Sequence, residues 1–302
     1  MPSALSLLNP RPTLEQLECS PSRRDGISSD LEEDMRGIGC RLIQDAGILC
    51  KIPQATIATA QVLFQRFFYV ASLRRFAVLD MASASLFLAA KLGECATRIS
   101  SLTLAFDHVA KRLRGQPTDV FEAFSQEAYD YKTKLIVGEM QLLKRLGFHT
   151  TVQLPYGLMI NYLRILGLEE REDVANKCWA LLNDGLATPI YILFTPQALA
   201  CAAIDLSCRL FAIRLPDSPP ESAWYELFDT NREEMDIIIG WFARLYLRRG
   251  NIALGDLVAR PENFAQENGD SVASNTLLGT PSTHWANIPI RLEELEALFK
   301  RQ

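Results

Sequence analysis

A chain of 302 residues, 48% hydrophobic and 22% charged, can bury about three quarters of its unfolded surface and suits a soluble protein of two domains. Its formal charge of −5 disfavours unspecific nucleic-acid binding, whose affinity comes from neutralising phosphates with Lys and Arg. No uncharged apolar run reaches the ~18 residues of a membrane helix, and neither metal nor other cofactor is expected: the three histidines lack ligand spacing, and the seven cysteines include no C-x-x-C.

Residues 1–28 carry Pro2, Pro10, Pro12 and Pro21 among Ser and Arg, which predicts an extended, flexible arm. The first helix is expected to start near Asp30, capped by Ser29 or Asp30, with Glu32, Glu33 and Asp34 where the helix dipole favours negative charge. Ile52-Pro53 ends it. From Ile57 to Tyr69 apolar residues wrap most of the helix circumference, which predicts burial on several sides. Met81 to Leu92 alternates small residues with Leu86, Phe87 and Leu88 and predicts the central helix of a bundle. Further helices are expected over Ser100–Leu113 and Phe124–Leu146, the last with Ile136, Val137, Met140, Leu143 and Leu146 inward.

Beyond Pro155 the organisation repeats. Leu199 to Leu210 (LACAAIDLSCRL) overlays Met81 to Leu92 (MASASLFLAAKL), matching small residues to small residues and Arg209 to Lys91. Helices are expected over Pro155–Leu166, Asp173–Ala187, Pro196–Phe211 and Glu233–Arg248, with a short one at Ala223–Phe228. Pro196 suits a first turn, where its missing N–H costs nothing. The fold class is therefore all-α, with two tandem five-helix domains over 29–150 and 151–250. Residues 251–302 read as a tail that is rich in Asn, Ser, Gly and Pro and contains one short amphipathic helix, Arg291–Phe299.

Two five-helix repeats with small-residue central helices resemble the cyclin fold, and the sequence narrows the likeness. Asp25 to Tyr69 (DGISSDLEEDMRGIGCRLIQDAGILCKIPQATIATAQVLFQRFFY) is similar to the cyclin L group, which acts in transcription and splicing. Lys177–Leu186, Phe194–Ile213 and Ala223–Met235 resemble that group's second cyclin box. The resemblance implies tandem cyclin boxes, no catalytic residues, a nuclear location and a heterodimer with a cyclin-dependent kinase, with splicing or transcription factors as further partners. Cyclins grip the kinase with a Lys at the end of the third helix and a Glu in the fifth, positions that fall on Lys91 and Glu139. The charges suit the task, since an ammonium donates to carbonyls and a carboxylate accepts from amides. The same resemblance marks Glu94, Phe68 and Arg36 for the kinase-binding set.

Two departures stand out. The usual acidic partner of Arg36 is replaced by Gln65, which predicts that the internal ion pair is absent, and Gly93 replaces the first Glu of the family's Lys-x-Glu-Glu ending. Animal members of the group end in Arg-Ser tracts, and no Arg-Ser dipeptide occurs here, so the resemblance carries kinase activation further than splicing. A plainer reading puts Lys91 among solvated residues at a helix exit and Glu139, with Lys134, Lys144 and Arg145, on a solvated face. Ser20-Pro21 and Thr280-Pro281 are candidate proline-directed phosphorylation sites. A general transcription factor with the same tandem fold is the alternative, opposed by the acidic pI of 5.4. An all-helical enzyme finds no phosphate loop or nucleophile–base pair.

Overall fold

The computed structural model describes residues 11–95, 97–118, 125–215 and 223–248, and every regular element among them is helical. The described chain divides into two compact units, 11–154 with 186–194, and 155–185 with 195–248. The first unit holds α1 (Ser29–Leu49), α2 (Gln54–Val70), α3 (Val78–Leu92), α4 (Ile99–Leu113) and α5 (Gln126–Arg145). The second holds α6 (Tyr156–Ile165), α7 (Glu172–Gly185), α8 (Pro196–Leu210), a 3₁₀ turn at Trp224–Phe228, and α9 (Arg232–Arg248). The tail and its expected helix at Arg291–Phe299, with Thr280-Pro281, lie outside the described residues.

In the first unit α3 packs against α1, α2, α4 and α5. Its small residues explain why. Ala82, Ala84, Ser85, Ala89 and Ala90 are all buried, so four helices can approach one axis without colliding side chains. Two glycines let α1 lie equally close to α2. A Cβ at Gly47 would stand 2.6 Å from Ile57 Cγ1, and one at Gly39 would collide with the ring of Phe64. On α5 the same device recurs, because a Cβ at Gly138 would come within 2.9 Å of the Ala84 Cβ.

That contact corrects the expected phase of α5. Leu135, Gly138 and Leu142 are buried, whereas Ile136, Val137 and Met140, expected inward, are 44%, 46% and 59% exposed. The spacing Leu135, Gly138, Leu142 is itself helical, and glycine marks the side of closest approach. A count of apolar residues alone favoured the wrong stripe.

The arm expected to be extended over 1–28 is partly helical where it is described, and two of its serines are packed inside. Turns form at Leu14–Glu18 and Pro21–Arg24. Ser20 caps the second, accepting from the Arg23 N–H at 3.3 Å while its hydroxyl donates to Glu32 Oε2 at 2.8 Å. Ser22 Oγ accepts from the Leu73 N–H at 3.1 Å, and both serines are fully buried. Pro21, which reads as a breaker, sits in the first turn where proline is tolerated. The cap of α1 is Ser28, not Ser29 or Asp30, accepting from the Leu31 N–H at 3.3 Å.

In the second unit α8 is central, touching α6, α7, α9 and the 3₁₀ turn. It is lined by Ala198, Ala200, Ala202, Ala203 and Ser207, all buried. Thr195 caps it ahead of Pro196, accepting from the Ala198 N–H at 3.1 Å. The overlay of α8 on α3 read from sequence thus places corresponding small residues at the centre of both units.

Candidate functional site

The exit of α3 is built by a left-handed cap. Cys95 N–H bonds the Ala90 carbonyl at 2.8 Å and Glu94 N–H bonds that of Lys91 at 3.2 Å, with Glu94 at φ 53°, the paired bonds of a Schellman turn. Glutamate here occupies the left-handed position that glycine usually takes, while Gly93 has an ordinary φ of −88°. Gly93 is required by proximity instead. A Cβ there would lie 2.8 Å from Thr56 Oγ1 at the start of α2, which gives a physical reason for the missing first Glu of the Lys-x-Glu-Glu ending.

Because Cα–Cβ bonds tilt toward the helix N-terminus, the Lys91 side chain runs back over Phe87, its Nζ 4.1 Å from the ring centroid. It ends between both oxygens of Glu139, donating to each at 2.8 Å. The close contact of Gly138 with Ala84 is what brings α5 near enough for this pair. The Lys91 side chain is 52% exposed and that of Glu139 14%. Donor and acceptor capacity remains: an ammonium has three donors and a carboxylate about four lone-pair sites, so the pair can hold itself together and still bond a peptide backbone. Leu92 (47% exposed) lies beside Lys91 in sequence, and Ile136, Val137 and Met140 flank Glu139. Sequence reasoning missed these apolar residues as surface, and the phase set by Gly138 was the signal that could have found them.

Glu94 is exposed at the same exit, three residues from Lys91. Arg36 and Phe68 are elsewhere, and neither reaches a partner surface: they are 4% and 0% exposed. They are joined internally, since Arg36 Nη2 donates to the Phe68 carbonyl at 2.9 Å. The same nitrogen pairs with Glu32 Oε1 at 2.7 Å, and Nη1 donates to Gln65 Oε1 at 3.3 Å. The expected loss of the internal ion pair is therefore corrected. The carboxylate comes from one turn earlier in α1 instead of from α2, and Glu32 is itself fixed by Ser20 and Arg23. Ser20, as a buried cap, is not an accessible phosphorylation site.

No group of acidic, His or Cys residues able to hold a metal occurs among the described residues. Burial pushes the thiols of Cys40, Cys201 and Cys208 up to about 12 and that of Cys178 to about 11, so all four are protonated packing groups and not nucleophiles.

Residues 13–151 match the family described as Cyclin, N-terminal domain. Cyclin-L2 of Homo sapiens is 36% identical over 235 residues, covering 78% of this chain and 44% of the relative. Cyclin-L1-1 of Arabidopsis thaliana is 34% identical over 258 residues, covering 85% and 61%. A chain in the crystal structure of the yeast RNA Pol II CTD kinase CTDK-1 complex shares the fold with a TM-score of 0.64 at 17% identity, over 89% of this chain and 86% of that one. One in the cryoEM structure of the yeast TFIIK (Kin28/Ccl1/Tfb3) complex gives 0.52 at 16%, over 78% and 95%. The five helices around a small-residue axis are a cyclin box, and the chain belongs to the cyclin family. Within that family its sequence is of the cyclin L type. It spans 44% of the length of the human relative and 61% of the plant one.

Proposed function

We propose that this protein is the non-catalytic regulatory subunit of a cyclin-dependent kinase of the transcription and RNA-processing group, acting in the nucleus. The observation that carries the reading is the Lys91–Glu139 pair, held at the exposed exit of α3 with bonding capacity to spare. A kinase activator needs to hold one helix of its partner inward so that the kinase's own Lys–Glu pair and metal-binding Asp align. Lys91 donates to carbonyls and Glu139 accepts amides at the start of that helix, gripping backbone whatever its side chains. Leu92, Ile136, Val137 and Met140 supply apolar area around the polar centre, the arrangement that excludes water from a hot spot. The second unit is read as a second cyclin box that extends this scaffold.

Membership of the cyclin family and the L-type relatives support the choice of kinase class. One fold neighbour belongs to an RNA Pol II CTD kinase complex, and a kinase acting on RNA polymerase II is proposed in keeping with that likeness of fold. A role in pre-mRNA splicing is proposed on the cyclin L relatives alone. The test is affinity purification of the full chain from nuclear extract. A cyclin-dependent kinase at one-to-one stoichiometry, lost with Lys91→Ala while helix content by circular dichroism and the melting temperature are retained, is expected. Recovery of the folded chain with no kinase would contradict the proposal.

A further inference from the structure

We propose that a cleft on the first unit, formed by the Pro21–Arg24 turn, the end of α2 and the end of α5, binds a phosphoserine- or phosphothreonine-containing peptide. Its walls bring together Arg24, Arg75 and Arg145 around one carboxylate, Asp25, beside the apolar surface of Val70 and Phe76. The cavity measures about 150 Å³, room for a single compact group. Arg75 Nε is 4.0 Å from Asp25 Oδ2 with its side chain 71% exposed, so it is held loosely. Arg145 leans on the Phe76 ring, 5.6 Å from guanidinium carbon to centroid. No carboxylate among the described residues lies within 4.0 Å of the Arg24 or Arg145 guanidinium. Three cations against one anion leave two positive charges over, which matches a phosphate monoester carrying about −1.5 to −2 at neutral pH.

Guanidinium groups present paired N–H donors whose spacing fits phosphate oxygens. Phe76 and Val70 would cover an apolar residue next to the phosphorylated one. A nucleic-acid strand is a poorer fit, because a polyanion needs a track of positive charge and this chain is acidic overall, at −5. The inference does not rest on the kinase-binding reading, since the cleft shares no residue with Lys91 or Glu139.

The experiment follows arginine Nε–Hε signals of the full chain by NMR during titration with three probes. These are a short glycine-rich peptide carrying phenylalanine next to one phosphoserine, its unphosphorylated twin, and an oligouridine. The phosphopeptide should shift the Arg24, Arg75 and Arg145 signals saturably and the twin should not. Arg24→Gln with Arg145→Gln should weaken binding at least about tenfold, the loss of two charge-assisted contacts. Asp25→Asn should tighten it about two- to fivefold by removing a like charge. Equal binding of the twin, or oligouridine shifting the same signals at lower concentration, overturns the proposal. So does retained affinity in an arginine double variant that melts with the wild type. Should that variant melt lower, an Asp25→Asn chain with unchanged affinity overturns it.

Discussion

A Cβ placed on Gly138 would stand 2.9 Å from the Cβ of Ala84, and this near-contact sets the separation of α3 and α5 on which the Lys91–Glu139 pair depends. Ala84→Leu should therefore overpack the first unit and cost about 1–3 kcal/mol, read as a lower melting temperature. It should also weaken partner binding by pushing Glu139 away from Lys91. Ala202→Leu on α8, equally buried, should destabilise the second unit without that effect on the grip. Unchanged melting of both variants would contradict the central placement of α3 and α8.

The Arg36–Glu32 pair predicts a different stability signature. Both residues are almost fully buried, with side-chain exposures of 5% and 4%, so removing one partner strands a charge. Arg36→Ala should cost about 3–5 kcal/mol, measured by urea unfolding. A double variant Glu32→Gln, Arg36→Gln should lose less than the sum of the single changes, because the two groups share one network. Ser20→Asp should also destabilise, since it sets a second carboxylate against Glu32.

Thiol burial gives the pH dependence. Cys40, Cys178, Cys201 and Cys208 start from an ordinary value of 9.0 and are raised to about 11 or 12. A raised folded value means that the unfolded chain loses its protons first, so the stability from these thiols is full below pH 9 and falls as pH rises toward 12. Burial lowers Arg66, but a guanidinium stays charged throughout this range and Arg66 Nη1 donates to the Thr151 carbonyl at 2.8 Å, so it adds no opposing slope. The slope above pH 9 should therefore be downward in a melting series. Native alkylation near pH 8 should label exposed Cys19 and spare these four. Their labelling at the rate of Cys19 would contradict the burial.

Much of this architecture was legible in sequence because small residues have few other uses at helix centres. Ala82, Ala84, Ala89 and Ala90 announced α3, and the matching run from Leu199 announced α8. The pairing of Lys91 with Glu139 was not legible from local sequence, and the gripping role proposed for the two residues rests on resemblance, since nothing local tells a gripping lysine from a solvated one. What failed were inferences that depend on long-range partners. The arm over residues 1–28 looked extended because its prolines dominate locally, while the groups that fix its Pro21–Arg24 turn, Glu32 and the Leu73 N–H, lie outside it. Arg36 looked unpaired because the expected partner was sought on α2, and a carboxylate four residues earlier in the same helix serves instead. Ile136, Val137 and Met140 looked like core because apolarity was weighed without the close contact at Gly138.

The exchange Lys91→Glu with Glu139→Lys tests the central claim most directly. It keeps the salt bridge and reverses the polarity offered to a partner backbone, so fold and grip are separated in one variant. The expected stability loss is about 0.3–1 kcal/mol from negative charge at a helix C-terminus, with about 0.5–1 kcal/mol more from losing the Lys91 ammonium over the Phe87 ring. The measurement is affinity for the cyclin-dependent kinase proposed as partner, taken with the melting temperature. The account predicts near-normal melting with binding weakened by a hundredfold or more, on the order of two lost charge-assisted hydrogen bonds. Wild-type affinity in the folded exchange variant would show that Lys91 and Glu139 only brace α3 against α5.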